Sequence, residues 1–406
     1  MKTRPRNVHD GPSTSKRITR SKTSTNGGEN SPTIPMDLII EILLRLPAKS
    51  IAKCRCVSKL WANILRRPDF TKLFLTSSYA RPQLLISCVK KGELFLFTSS
   101  QDQNLNQKSS IDATSYHMKF PANLSTRVYG HVHGLVCLLV SEGMEKAVPM
   151  ICNPSTRQSF PLPKLKTTRT WVNSFFGYDP IDKQYKVLSL TWPGPRRSRI
   201  SEKHKVLTLG TKKLSWRMVD CLPHYSADHG ICINGVLYYL ALVDGAPPRG
   251  YTIACFDVRS EKYRFINKDE DMELLSDSML VNYKGKLSVL LTHDLWIEEL
   301  IRERTCFELW VLVDAERHEW SKHLYELPDS WKDDVGHAKL DYVGVTTTNE
   351  IVLSRRFPLD PFYVFYCNLE RKTIKRVEIQ RMDAFKNSKV HIFLNHVEDV
   401  KLMQAI

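Results

Sequence analysis

One hairpin pattern recurs five times between residues 151 and 379, and it limits this chain to a few all-β architectures. Each unit is a strand, a charged turn opened by Asn, Asp or Gly, and a second strand. The units read ICNPSTRQSFPLP (151–163), LTLGTKKLSWRMVDCLP (207–223), ACFDVRSEKYRFI (254–266), LWVLVDAERHEWSKHLYELP (309–328) and FYCNLERKTIKRVEI (365–379). Their turn residues Asn153, Gly210, Asp257, Asp314 and Asn368 are spaced 57, 47, 57 and 54 apart. Three units close on Leu-Pro: Leu162-Pro163, Leu222-Pro223 and Leu327-Pro328.

A second hairpin-like segment precedes each unit: VHGLVCLLV (132–140), FGYDPIDKQYKVLSL (176–190), INGVLYYLAL (233–242), VNYKGKLSVLL (281–291) and GVTTTNEIVLS (344–354). Asn234-Gly235 is the strongest turn signal among them, because Asn-Gly accepts the left-handed geometry of a tight hairpin. Two hairpins per roughly 50 residues make a four-stranded blade, and this period fits a kelch-type β-propeller rather than the shorter tryptophan-aspartate type. Five blades then lie between 127 and 380. The hairpin at 82–98 and the C-terminal segment at 389–403 combine into a sixth, since a ring closed by strands from both ends leaves no exposed edge. The irregular spacing keeps an all-β sandwich as the competing arrangement.

Residues 34–70 have a different texture. In IPMDLIIEILLRLP (34–47), Asp37, Glu41 and Arg45 share one stripe at 100° per residue, and Leu38, Ile39, Ile40, Ile42, Leu43, Leu44 and Leu46 fill the rest of the circumference. Pro35 suits the first turn, Asp37 and Glu41 lie where the helix dipole favours acids, and Pro47 stops the helix. A second short helix is expected across 49–57, and Ser58 caps a third whose Leu60, Trp61, Ile64 and Leu65 form one apolar face. Pro68 is expected to end this three-helix unit. Units of fewer than about 40 residues usually need outside support to bury such a surface. Part of it therefore belongs to a partner or to the rest of the chain.

The bulk properties exclude several classes. No run approaches the roughly 18 apolar residues of a spanning helix, and the N-terminus carries no apolar segment able to act as a secretory signal. The ten cysteines are scattered, with no CxxC and no Cys/His cluster of zinc-like spacing, as expected of free thiols in a reducing compartment. Of the +16 net charge, +5 lies in 1–33 and +4 in 34–70, which leaves a diffuse excess and no nucleic-acid stripe over the remaining 336 residues. Residues 1–33 are rich in Ser, Thr, Pro, Gly and basic side chains and read as a disordered tail. Lys16, Arg17, Arg20 and Lys22 in it could form a nuclear-import or acidic-surface patch or merely solubilise it.

No catalytic elbow, HExxH, phosphate loop or dinucleotide fingerprint is present. His131 and His133 lack a third ligand nearby in sequence and read as turn histidines; Arg196, Arg197 and Arg199 read as a solvated loop or a contact for an acidic partner.

IPMDLIIEILLRLPAKSIAKCRCVSKLWANIL closely resembles the F-box of plant F-box proteins. The residues that carry the likeness are Ile34-Pro35, with Ile where the family has Leu, Glu41 to Pro47, and Arg55 to Trp61. NPSTRQSFPLP and FGYDPIDKQYKVLSL resemble the opening blades of the F-box-associated domain, although His133-Gly134-Leu135 stands where that family reads Asn-Gly-Leu. The fold class expected is therefore α+β multidomain: a tail at 1–33, a three-helix F-box at 34–78, and a mainly-β kelch-like propeller of about six blades at 82–403.

The resemblance implies a substrate receptor of a cullin-based ubiquitin ligase, non-enzymatic and without a cofactor, in the cytoplasm, the nucleus or both. Its F-box would dock on a Skp-type adaptor, and through it a cullin, by Ile34, Pro35, Leu38, Ile39, Ile42, Leu43, Leu46, Pro47 and Trp61. Leu60, Trp61 and Ile64 are expected to hold the helices together, with Trp61 partly facing the adaptor. The propeller would capture a target protein that no motif identifies, and no membrane partner is expected. A scaffold acting outside the ligase, or a nucleic-acid-associated protein using the basic tail, remain the other readings.

Overall fold

The computed structural model describes residues 34–403 except 91–92, 102–109, 113, 119–123, 143–145, 166–170, 194–199, 202, 244–249, 277, 293–305, 327–339, 356, 358–360 and 387. The basic tail at 1–33, Leu327-Pro328 and the Arg196, Arg197 and Arg199 loop lie outside the described residues.

Six sheets follow a short helical unit. Blade I runs from Leu124–Val132 to Gln158–Pro161, blade II from Trp171–Asp179 to Arg217–Val219, and blade III from His224–Ile233 to Tyr263–Ile266. Blade IV runs from Met279–Tyr283 to Glu319–Glu326, and blade V from Asp341–Val345 to Thr373–Gln380. Blade VI joins both ends of the domain: Val390–His396 pairs antiparallel with Gln83–Lys90, which pairs with Glu93–Ser100 and then Thr114–Met118. The closure expected from sequence is therefore present. One addition was not expected, a parallel strand Ser110–Asp112 on the outer edge of blade V.

Apolar alternation on these strands feeds the gaps between blades. Each neighbouring pair shares its own buried layer, as where Leu85 and Leu96 of blade VI meet Val136 and Leu138 of blade I. Phe175 and Leu188 of blade II likewise meet Tyr239 and Phe256 of blade III, with the Phe175 and Tyr239 rings stacked 4.2 Å apart. Six such layers close the ring, and no single central core is needed.

The turns explain the repeat physically. The side-chain oxygens of Asn153, Asp257, Asp314 and Asn368 each accept backbone N–H groups two or three residues on. The residue four positions later, Arg157, Glu261, His318 or Lys372, then takes a positive φ between 50° and 59°. A short polar side chain thus supplies the bonds that a tight loop would otherwise leave unmade. Trp216 and Trp320 each donate an indole N–H to a carbonyl beyond the last strand of the preceding blade, Pro163 at 2.7 Å and Asn267 at 3.0 Å.

The helical unit has four helices rather than three: α1 Met36–Arg45, α2 Ala48–Cys54, α3 Lys59–Arg66 and α4 Pro68–Tyr79. Pro68 begins a helix instead of ending the unit, because a first-turn proline forfeits only an N–H that has no intrahelical acceptor. Phe70 and Phe74 of α4 then complete a core with Leu43, Ala48, Ile51, Ile64 and Leu65. Among the described residues no helix is long and apolar enough to cross a membrane.

Candidate docking surface and its anchorage to the propeller

Helical geometry divides α1 into two faces. Leu43 is fully buried, while Ile39, Ile40, Leu44 and Leu46 pack partly buried against the same core. The exposed arc carries Asp37, Glu41 and Arg45, with Glu41 and Arg45 paired one turn apart, and beside them Leu38 and Ile42. Leu38 keeps 50% and Ile42 53% of its surface exposed, and Ile34, in the extended residues just before the helix, keeps 57%. Burying an apolar side chain of this size is worth about 1.5–3 kcal/mol, so leaving three along one face is a surface without its cover.

The nine residues named for docking thus separate. Ile34, Pro35, Leu38, Ile42 and Pro47 are exposed, Ile39, Leu46 and Trp61 are half-buried, and Leu43 has no surface to offer. Leu43 is a core residue because a four-helix unit encloses more than three helices can. Leu60, expected to hold the helices together, is instead 52% exposed, and Val57 and Met36 are exposed apolar side chains that the pattern did not single out. Ser58 caps α3 as expected, its hydroxyl accepting from the Trp61 N–H at 3.1 Å.

The C-terminal segment 397–403 straps this unit to the ring. Val400 enters the helical core, and Arg55 donates to the Val400 carbonyl. The Asn153 amide donates to the Asp399 carbonyl at 2.9 Å, and the Gln158 side chain accepts from the Met403 N–H at 2.8 Å, which fastens the other side of the strap to blade I. Arg81, between α4 and the propeller, donates to the carbonyls of Leu44 and Arg45 at 2.8 and 2.7 Å and so satisfies the end of α1.

His133 takes φ +49° and Gly134 +80°, so the departure from Asn-Gly keeps the same tight turn. The His133 ring instead contacts Tyr79 of α4 at 5.7 Å and Tyr178 of blade II at 4.0 Å. His131 packs elsewhere, against Phe393 and His396, so the two histidines do not converge.

An F-box domain model matches residues 32–73, and an F-box associated beta propeller domain model matches residues 83–397. Among curated proteins, the F-box protein DOR of Arabidopsis thaliana is 50% identical over 382 residues, covering 92% of this chain and 95% of that protein. F-box protein At5g65850 of Arabidopsis thaliana is 48% identical over 414 residues, 99% of each chain, and F-box protein At3g61340 is 44% identical over 400 residues, 92% of this chain and 95% of its own. This chain belongs to the F-box proteins that carry an F-box-associated β-propeller. An F-box implies a Skp-type adaptor as partner, and the family's role is that of a substrate adaptor.

Proposed function

We propose that this chain is the substrate-recognition subunit of a Skp-cullin-F-box ubiquitin ligase. The strip Ile34, Leu38 and Ile42 docks on the Skp-type adaptor, flanked by Pro35 and Pro47, and the propeller holds the protein to be ubiquitinated. The observation that carries this reading is the uncovered apolar strip of α1 in a helical unit whose core is already filled, with Val400 of the strap included. The strap at 397–403 supports it too, because a receptor must hold its target in a fixed relation to the adaptor. No chemical step is assigned to this chain; ubiquitin transfer falls to the other subunits. The role assigns it to the cytoplasm, the nucleus or both.

Affinity purification of the full chain tests the proposal. Adaptor and cullin should both co-purify with the native sequence. Recovery of adaptor without cullin would favour a scaffold outside the ligase. Proximity labelling with and without proteasome inhibition then identifies the target as a protein that accumulates near the chain only under inhibition.

A further inference from the structure

Between blades II and III, three residues with metal-binding side chains converge. His204 lies on the strand Lys203–Thr208, Cys221 follows the strand Arg217–Val219, and His224 opens blade III. One donor atom from each lies within 4.8 Å of the others. Both imidazoles are buried, and Cys221 is half-buried beside a cleft of about 630 Å3 lined by Met218, Leu222, Glu261, Tyr263 and Phe265.

The hydrogen bonds fix which nitrogens carry the lone pairs. A backbone carbonyl only accepts, so the nitrogen facing it must carry the proton. His204 Nε2 faces the Ser201 carbonyl at 3.2 Å, and His224 Nδ1 faces the Leu222 carbonyl at 2.8 Å. The lone pairs therefore sit on His204 Nδ1 and His224 Nε2, which meet the Tyr263 hydroxyl at 3.1 Å and the Tyr239 hydroxyl at 2.8 Å. Those two hydroxyls are also 3.3 Å from each other. Two hydroxyl protons must serve three contacts, so this cluster is rich in lone pairs and short of protons.

We infer that His204, Cys221 and His224 bind a borderline-soft divalent cation of the Zn2+ class, through His204 Nδ1, His224 Nε2 and the Cys221 thiolate. Nitrogen and sulfur donors select such an ion over Mg2+ or Ca2+, and backbone carbonyls bonded to the far ring nitrogens are the usual support of histidine ligands. Tetrahedral zinc with bonds of about 2.0–2.3 Å needs donors about 3.4–3.8 Å apart. Cys221 Sγ lies 3.7 Å from His224 Nδ1, the nitrogen bonded to the Leu222 carbonyl, so residues 220–223, which lie between strands, must carry the thiolate round to the Nε2 side. Binding releases the thiol proton to solvent, and the Tyr263 hydroxyl stands ready as a fourth donor. The ion would tie the crossing between the two blades to both of them.

The test uses the full chain, stripped with chelator and titrated with Co2+. One equivalent should produce a thiolate-to-cobalt charge-transfer band that Zn2+ displaces. Cys221→Ser should abolish the band, and Cys232→Ser, at a cysteine outside the cluster, should keep it. No saturable band, or a band that survives Cys221→Ser, overturns the site. Melting of the native chain provides a check that needs no variant: stoichiometric Zn2+ should raise Tm, and an unchanged Tm overturns the site.

Discussion

The Glu398 carboxylate accepts a hydrogen bond from the backbone N–H of Ala48 at 3.1 Å, in a buried position and across 350 residues of sequence. This contact joins the first turn of α2 to the strap that follows the last propeller strand, and it supplies an acceptor to an N–H that has none within its helix. Glu398→Ala would leave that N–H buried and unpaired, at about 1–3 kcal/mol. Hydrogen exchange across residues 48–54 should rise while the propeller amides stay protected. Unchanged protection at 48–54 would count against the strap.

The α1 faces should respond in opposite ways. Leu38→Asp with Ile42→Asp should abolish adaptor co-purification while leaving Tm and the circular dichroism spectrum close to native, because both side chains are exposed. Leu43→Ala should instead destabilise the helical unit by about 2–5 kcal/mol through the cavity it leaves. Adaptor recovery by the double variant would refute the docking strip.

Gly134 is constrained twice. Its φ is +80°, and a Cβ there would lie 2.7 Å from the Asp399 Cβ and 2.8 Å from the Val397 carbonyl oxygen. Gly134→Ala should therefore cost more than about 2 kcal/mol, since the left-handed strain alone is roughly 1 kcal/mol and the strap must also shift. The equivalent change at Gly285, whose φ is also +80° but which has nothing within 4 Å, should cost only the strain. Equal losses of Tm at the two sites would show that the close approach has no weight.

Burial raises the Asp399 carboxyl to about 6, against the opposing Lys401 N–H bond and the charges of Lys401 and Arg55. For an acid the sign is definite: between about pH 4 and 6 the folded state holds a proton that the unfolded state has lost, so stability falls as pH rises through that window. Asp399→Asn should remove this component and leave the protein more stable at neutral pH. Urea titrations at pH 4.5 and 7 measure it, and an unchanged pH slope in the variant would refute it.

Glu261 shows the reverse dependence. Burial pushes its carboxyl up, but hydrogen bonds and charge from Lys186 at 2.7 Å and from Arg217 outweigh that and hold it below the ordinary value. Its contribution is therefore present above the unfolded carboxylate pKa and lost as pH falls below it. Glu261→Gln should cost about 1–3 kcal/mol, between an exposed pair and a fully buried one, and should loosen blade II from blade III. A change in Tm that is the same at pH 4 and pH 7 would exclude the ionic part.

The sequence alone determined the blades. Asn153, Asp257, Asp314 and Asn368 write their turns locally, because an Asx side chain bonds to its own next residues, and strand alternation is local as well. The greasy circumference of α1 was equally plain, but a helical wheel cannot tell a face buried inside the chain from one kept for a partner. Only the tertiary structure sent Leu43 inward and left Leu38 and Ile42 outside, through an α4 that the Pro68 signal hid. Val400, Glu398 and the His204, Cys221 and His224 cluster were illegible for the same reason. Cys221-Leu222-Pro223-His224 is a C-x-x-H pair whose third member lies 17 residues back on another strand. Short-range bonding leaves its trace in spacing. Contacts made by closing a ring join residues that the chain keeps far apart, and spacing does not record them.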